Sequence, residues 1–228
     1  MRRLHISVAA AACALLALAA CVSTPAPRQT IAVVGVPEPA KLSVLVENHP
    51  DAGASQTRGL FFAAAMQTLE RELADSLKPR AFAPGAALSE ALAESLRRPD
   101  RAVVRVANPQ REREDFLKDY PAPETNTATI FVDVIPRAVG YWAEAPMGSW
   151  HPWVVVAYRV YDSRAGKVVA SGQISTGPPP PGEASIALAA DRRYAFPSFE
   201  AVIADPARAE AGIAAAMRLV AQAVAQRV

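Results

Sequence analysis

The residues of this sequence that could do nucleophilic or metal chemistry are few and far apart. Ser149 and His151 lie two positions apart, but the Gly-x-Ser-x-Gly turn that presents a hydrolase nucleophile is absent. Downstream of the first 20 residues the only histidines are His49 and His151, a spacing that indicates no metal site. Glycine-rich phosphate-binding motifs are also absent. The sequence therefore predicts no catalytic residue, no metal ligand and no cofactor.

Acidic side chains are grouped once, where Glu112, Glu114 and Asp115 alternate with arginines. Two carboxylates can carry out glycosidic acid–base chemistry when they face each other across a cleft. A run of mixed charge is instead typical of a solvated loop or a single helical turn. We therefore expect a polar, proline-bearing loop from Asn108 to Asn126.

The cysteine with the clearest predicted chemistry is Cys21, which ends an apolar run. Two arginines precede a nearly unbroken apolar segment from Ile6 to Ala20, a pattern typical of a secretory signal peptide. The segment is shorter than the roughly 20 residues that cross a bilayer. Leu18-Ala19-Ala20-Cys21 resembles the bacterial lipobox. The resemblance implies cleavage between Ala20 and Cys21 and acylation of the Cys21 thiol; an ordinary signal peptide with a chance cysteine is the alternative.

Acylation at Cys21 would fix the chain to a membrane, because two acyl chains hold a protein stably at a bilayer. Residue 22 is valine rather than aspartate, and the resemblance then implies the outer membrane rather than the inner one. Cys13 would leave with the signal peptide, so the mature chain would contain no disulfide. We expect a signal peptide over residues 1–20, a lipidated tether over 21–30 and one periplasmic domain over 31–228.

The charge balance of the mature chain argues against nucleic-acid binding. The full sequence has 24 basic and 22 acidic residues, and the signal peptide carries two of the basic ones. The mature chain therefore has 22 of each sign, without the basic face that a nucleic-acid binder needs. We expect its partners to be the membrane, through the anchor, and another envelope protein.

Four aromatic residues are grouped near the middle of the chain, in a predicted loop from Pro136 to Pro152 and at the residue directly after it. Exposed aromatic rings make good binding anchors, because they bury a large area at small entropic cost. The alternative is that the rings pack as cross-strand pairs and close an edge of the sheet. The candidates for partner binding are Tyr141, Trp142, Trp150 and Trp153.

Short apolar runs predict several strands. The strongest signal is a hairpin, in which alternating residues from Trp153 to Tyr161 and from Val168 to Thr176 flank the turn residues Asp162 to Lys167. A proline run from Gly177 to Gly182 follows and is expected to be a rigid spacer. The other predicted strands are Ile31–Val36, Leu42–Glu47, Ala102–Val106 and Thr129–Ile135.

Apolar residues at helical spacing predict three main helices. The first runs from Thr57 to Leu77, with an apolar inward stripe of Phe62, Met66, Leu69, Leu73 and Leu77, and the second runs from Ala86 to Arg97. Ser198 can cap a short turn, and Asp205-Pro206 reads as the N-cap and first residue of a final helix. The inward stripe of that helix is Ile213, Met217, Val220 and Val224.

These elements predict an α/β (α+β) fold with a mostly antiparallel sheet, helices on one face and the order β-β-α-α-β-β-β-β-α. The order is similar to that of small periplasmic lipoprotein domains, among them activators of penicillin-binding proteins, curli-secretion lipoproteins and auxiliary lipoproteins of transport systems. The hairpin from Val160 to Val169 is the closest local likeness. Val139-Gly140-Tyr141 and Ala204-Asp205-Pro206 more closely resemble proteobacterial envelope lipoproteins of uncharacterised function. These resemblances carry over no site residue.

The leading functional hypothesis is a non-catalytic, lipid-anchored envelope protein that binds a protein partner in envelope assembly or transport. The alternatives are a periplasmic enzyme acting on cell-wall or lipid material and a carrier of a small ligand. A cleft lined by convergent polar groups would favour the enzyme, whereas an exposed apolar patch would favour the binding protein. A carrier would need a sizeable dry cavity.

Overall fold

Seven strands and four α-helices make up the computed structural model, which describes residues 29–36, 42–48, 56–106, 115–121, 127–179 and 185–228. The predicted α/β class is confirmed. The strands are β1 (Gln29–Val34), β2 (Ser43–Val46), β3 (Arg101–Val106), β4 (Ile130–Ala143), β5 (Trp150–Asp162), β6 (Lys167–Thr176) and β7 (Ile186–Leu188). The helices are α1 (Gln56–Leu77), α2 (Pro84–Leu96), α3 (Phe199–Ala204) and α4 (Pro206–Ala225).

Strand β4 is the longest strand and organises the sheet, whose order is β3-β1-β4-β5-β6-β7. One edge of β4 receives two strands in succession. β1 pairs with its beginning, where Ile31 lies opposite Ile130, and β2 pairs with its end, where Ser43 lies opposite Gly140. β1 begins at Gln29, so residues 29 and 30, predicted as tether, belong to the sheet.

The prediction of a mostly antiparallel sheet is only partly right, because the sheet is mixed. Among the strand pairings of the described residues, only β4–β5 and β5–β6 are antiparallel, whereas β1–β3, β1–β4, β2–β4 and β6–β7 are parallel. The alternation of apolar and polar residues reports which face a side chain occupies, but it does not report strand direction. β2 and β3 are joined through α1 and α2, and such helical crossovers are the usual link between strands that run the same way.

The predicted hairpin is confirmed as β5 and β6. Asp162 pairs with Lys167, and its carboxylate accepts hydrogen bonds from the backbone N–H groups of Arg164 (2.8 Å) and Ala165 (3.1 Å). Gly166 supplies the positive φ (63°) that the turn requires. The residues of this turn therefore set the register of β5 against β6 at the turn, as the turn composition predicts.

The helices cover one face of the sheet, here called the helix-side face. Val132, Val154 and Ile174 point to this face, and the buried residues of all four helices join them in one apolar cluster. The predicted stripe of α4 is buried, and Asp205 caps the helix by accepting from the N–H of Arg208 at 3.1 Å. Apolar residues on the outer face, such as Phe131 and Trp153, form two smaller clusters without helix residues.

Candidate functional site

The residues of the predicted lipid attachment, Ala20 and Cys21, lie outside the described residues. The same holds for His49 and for Glu112 and Glu114. Lipidation at Cys21 therefore stays a prediction from the sequence. The other candidate residues lie within the sheet and its connections.

The predicted aromatic loop from Pro136 to Pro152 is wrong, because both prolines are inside strands. β4 continues to Ala143 and β5 begins at Trp150, which leaves a connection of six residues. Pro136 sits where the β4–β5 register shifts by one residue, and such a bulge tolerates the missing N–H of proline. Pro152 pairs with Tyr141 within the ladder. Proline therefore did not end either strand, and the rings belong to the sheet.

Two of the four aromatic candidates are core residues of the helix-side face. Tyr141 is 0% exposed, and its hydroxyl donates to the carbonyl of Ala209 in α4 at 3.2 Å. Burial raises the pKa of this phenol above its ordinary range, so the hydroxyl stays protonated. Trp150 is 2% exposed, and its ring lies 5.0 Å from that of Phe199. Neither ring is available to a partner, so both are withdrawn as binding candidates.

The other two candidates lie on the outer face and contact the chain itself. Trp153 is buried, and its indole N–H donates to the carbonyl of Pro178 at 3.0 Å. The half-buried Trp142 lies against Gly177, where an added Cβ would stand 2.4 Å from the indole nitrogen. The rings hold the start of the proline run, which is described as far as Pro179. Trp153 is therefore also withdrawn as a partner contact. Trp142 has only part of its ring exposed for contact with a partner.

His151 lies beside this pair of tryptophans and faces the ring of Trp142 at 5.7 Å. Burial and the nearby charge of Arg192 lower the pKa of His151, which favours the neutral imidazole. A shallow cavity of about 160 Å³ opens here, with Leu188 on its wall. In the part of the chain that the structure describes, no hydrogen bond joins Ser149 to His151.

A buried carboxylate on the outer face was missed by the sequence reasoning. Asp133 of β4 is 0% exposed and accepts hydrogen bonds from the backbone N–H of Leu117 (2.9 Å) and the hydroxyl of Tyr120 (3.0 Å). Arg159 of β5 lies directly opposite in the register and stacks over Phe116 at 4.4 Å. These contacts fasten residues 115–121 to the outer face. The available signal was the charge of Asp133 and Arg159 within the mostly apolar strands β4 and β5.

A cavity of about 270 Å³ lies between residues 115–121 and the ends of β1 and β3. Its walls include Val34, Val106 and Leu117, and its floor is Phe131. Tyr120 lines one side, and the exposed Asp119 lies at the rim. Burial and the neighbouring Asp133 carboxylate raise the pKa of Tyr120 above its ordinary range, so this wall carries no charge.

The most exposed apolar surface of the described helices is the amino-terminal half of α1. Leu60 and Phe61 are each 71% exposed, whereas Leu73 and Leu77 at the other end are buried in the core. Residues 63–65 are exposed alanines, and no charged residue occurs from Gly59 to Leu69. The predicted stripe of α1 explains the buried face only. A helix that is apolar all round is expected to be covered on every side. The apolar residues of α1 that lie outside its inward stripe were therefore the sequence signal for this surface.

Among the described residues, no group of three or more histidine, cysteine or acidic side chains is placed to hold a metal ion. None of the helices in the described part of the chain combines the length and hydropathy needed to cross a membrane. The chain matches no model of a known protein family, and no curated protein matches it.

Proposed function

We propose that this protein is a lipid-anchored envelope lipoprotein that binds a protein partner through the amino-terminal half of α1 and catalyses no reaction. The signal pattern and the lipobox-like Leu18-Ala19-Ala20-Cys21 support the anchor. The observation that carries the binding role is the exposure of Leu60 and Phe61 at adjacent positions of one helix. Contiguous exposed apolar surface on a soluble domain is typical of interaction sites.

The anchor limits where the domain can act. Seven residues separate Cys21 from the first residue of β1, Gln29, and a chain of that length spans at most about 28 Å. The start of the sheet would therefore stay within one domain diameter of the membrane surface. A partner would be another protein of the periplasmic face of that membrane, with the outer membrane favoured by Val22.

The exposed half of α1 fits an apolar groove on a partner. Burying a Leu or Phe side chain contributes about 1.5–3 kcal/mol, so these two residues could supply much of the energy of a specific complex. The stretch from Gly59 to Leu69 carries no charge, and three small alanines follow Phe62. A helix that binds a membrane surface instead carries Lys and Arg along its polar face. The lack of charge therefore favours a protein groove over a lipid surface.

The cavities lined by described residues give less support to an enzyme. The cavity beside Tyr120 has mostly apolar walls, and the one beside His151 has His151 and Arg192 as its polar side chains. An enzyme cleft brings together an acid, a base or a nucleophile and a group that orients it. Neither cavity shows such a set among the described residues.

The test is site-specific photocrosslinking in living cells. We expect Phe61→p-benzoylphenylalanine to give a protein adduct of one defined mass, because this position lies in the proposed contact. The adduct should fade when the unmodified protein is overproduced. A second change, Leu60→Gln, should lower the adduct yield at least about tenfold, since it removes roughly 1.5–3 kcal/mol of apolar contact and every 1.4 kcal/mol is tenfold in affinity.

The matched control is Val169→p-benzoylphenylalanine, which puts the same probe on a half-exposed position of β6 outside the helix layer. This position should give no adduct. Adducts only with lipid, adducts only with a second copy of the chain, or equal yields at positions 61 and 169 would each rule out the proposed contact.

A further inference from the structure

The cavity bounded by residues 115–121, Val34 and Val106 has the features of a small ligand site, and it lies on the opposite face of the sheet from α1. Its volume of about 270 Å³ can be compared with the roughly 150 Å³ apolar cavity that accommodates one benzene molecule. The space therefore fits one six-membered ring with a short substituent. A nucleotide would be too large, and a sugar would be too polar for the mostly apolar walls.

The polar atoms nearest the cavity are already used. The hydroxyl of Tyr120 and the backbone N–H of Leu117 both donate to the buried carboxylate of Asp133. They are not free to donate to a ligand inside the cavity. The walls then offer a ligand apolar and aromatic contact but few hydrogen bonds.

Among the described residues, the one charged side chain that lines this cavity is that of Asp119. Asp119 is exposed, and it has no ion-pair partner among the described residues. A free carboxylate beside an apolar opening attracts a cation and repels an anion.

We infer that this cavity binds a small apolar ammonium compound, whose ring or chain enters between Val106, Leu117 and Phe131 while its charged nitrogen stays at the rim beside Asp119. The site is separate from the proposed protein contact on α1. An experiment can therefore disprove the ligand site without disproving the protein contact on α1, and the reverse.

The test compares three near-isosteric probes of different charge, namely 4-fluorobenzylammonium, 4-fluorobenzyl alcohol and 4-fluorobenzoate. Binding to the full chain in lipid nanodiscs is followed by ¹⁹F relaxation of the probe, with empty nanodiscs as the blank. We expect the ammonium to bind with a millimolar Kd, the alcohol more weakly and the benzoate weakest. Asp119→Asn should weaken the ammonium about threefold to fivefold and leave the alcohol unchanged, as expected for one solvent-exposed charge contact.

Two variants keep this result interpretable. Asp100→Asn removes an exposed carboxylate just before β3, away from the cavity, and should change none of the three affinities. Val106→Phe should fill the cavity and abolish binding of both the ammonium and the alcohol, with circular dichroism as the check on folding. The inference is overturned if the benzoate binds as tightly as the ammonium, if Asp119→Asn acts no differently from Asp100→Asn, or if no probe binds.

Discussion

Replacement of Trp150 by alanine is expected to destabilise the protein by about 3–5 kcal/mol, the usual cost of truncating a large buried aromatic side chain. The ring is 2% exposed, it packs against Phe199, and the backbone of Trp150 exchanges two hydrogen bonds with Phe196. The loss is a large share of the 5–15 kcal/mol that stabilises a typical domain. Urea unfolding followed by tryptophan fluorescence and circular dichroism would measure it.

Two matched variants show whether the loss of stability comes from the volume of the Trp150 ring, from its indole N–H, or from the removal of any tryptophan of this sheet. The indole N–H of Trp150 is buried without a partner, so Trp150→Phe loses no hydrogen bond and should cost less than half as much as Trp150→Ala. Trp142→Ala removes a half-buried ring from the outer face and should also cost less than Trp150→Ala. If Trp150→Ala unfolded at the urea concentration of the unmodified protein, the ring would not be part of the core.

Replacement of Gly140 by alanine is expected to release β2 from the sheet at a cost of about 1–3 kcal/mol, the range typical of overpacking. A Cβ on Gly140 would lie 1.9 Å from the carbonyl oxygen of Ser43, which is backbone and cannot rotate away. β2 has only four residues and pairs with β4 at this point. Because α1 packs on β2, the change should also weaken partner capture at Phe61.

Hydrogen exchange of the β2 amides measures this effect, with Gly166→Ala as the matched control. Gly166 has a positive φ but open space around it, so its substitution strains the turn by about 1–2 kcal/mol without touching β2. We expect faster exchange at Ser43–Val46 in Gly140→Ala and unchanged exchange there in Gly166→Ala. Equal protection of β2 in both variants would show that the close approach of Ser43 to Gly140 is unimportant.

Features set by neighbouring residues could be predicted from the sequence. The β5–β6 turn depends on Asp162 and Gly166, and the start of α4 depends on Asp205 and Pro206. Each motif brings its own hydrogen bonds or its own backbone conformation within a few residues. The buried stripe of α4 follows from its 3.6-residue period for the same reason.

Features set by distant contacts could not be predicted in this way. The parallel pairing of β1 with β3 joins residues about 70 positions apart, which no local pattern specifies. The bulge after Pro136 is a shift in the register between β4 and β5, so it depends on the pairing of two strands and not on the residues around Pro136 alone. The predicted loop around the aromatic residues was wrong for the same cause, since the position of the two prolines suggested a loop where two long strands pair.

The candidate surface on α1 was only partly visible in the sequence. Phe62, Met66 and Leu69 marked the inward face correctly, because they pack against the core or are partly covered. Leu60 and Phe61 could be recognised as exposed only once the position of the core was known. A length of apolar helix does not reveal which of its sides the rest of the chain covers.

The proposed location at the membrane depends on acylation of Cys21, and metabolic labelling with a palmitate analogue tests this most directly. We expect the mature protein to carry the label and to sediment with membranes, Cys21→Ser to abolish both, and Cys13→Ser, in the predicted signal peptide, to change neither. An unlabelled mature protein, or label that persists in Cys21→Ser, would contradict the anchor and with it the proposed site of action.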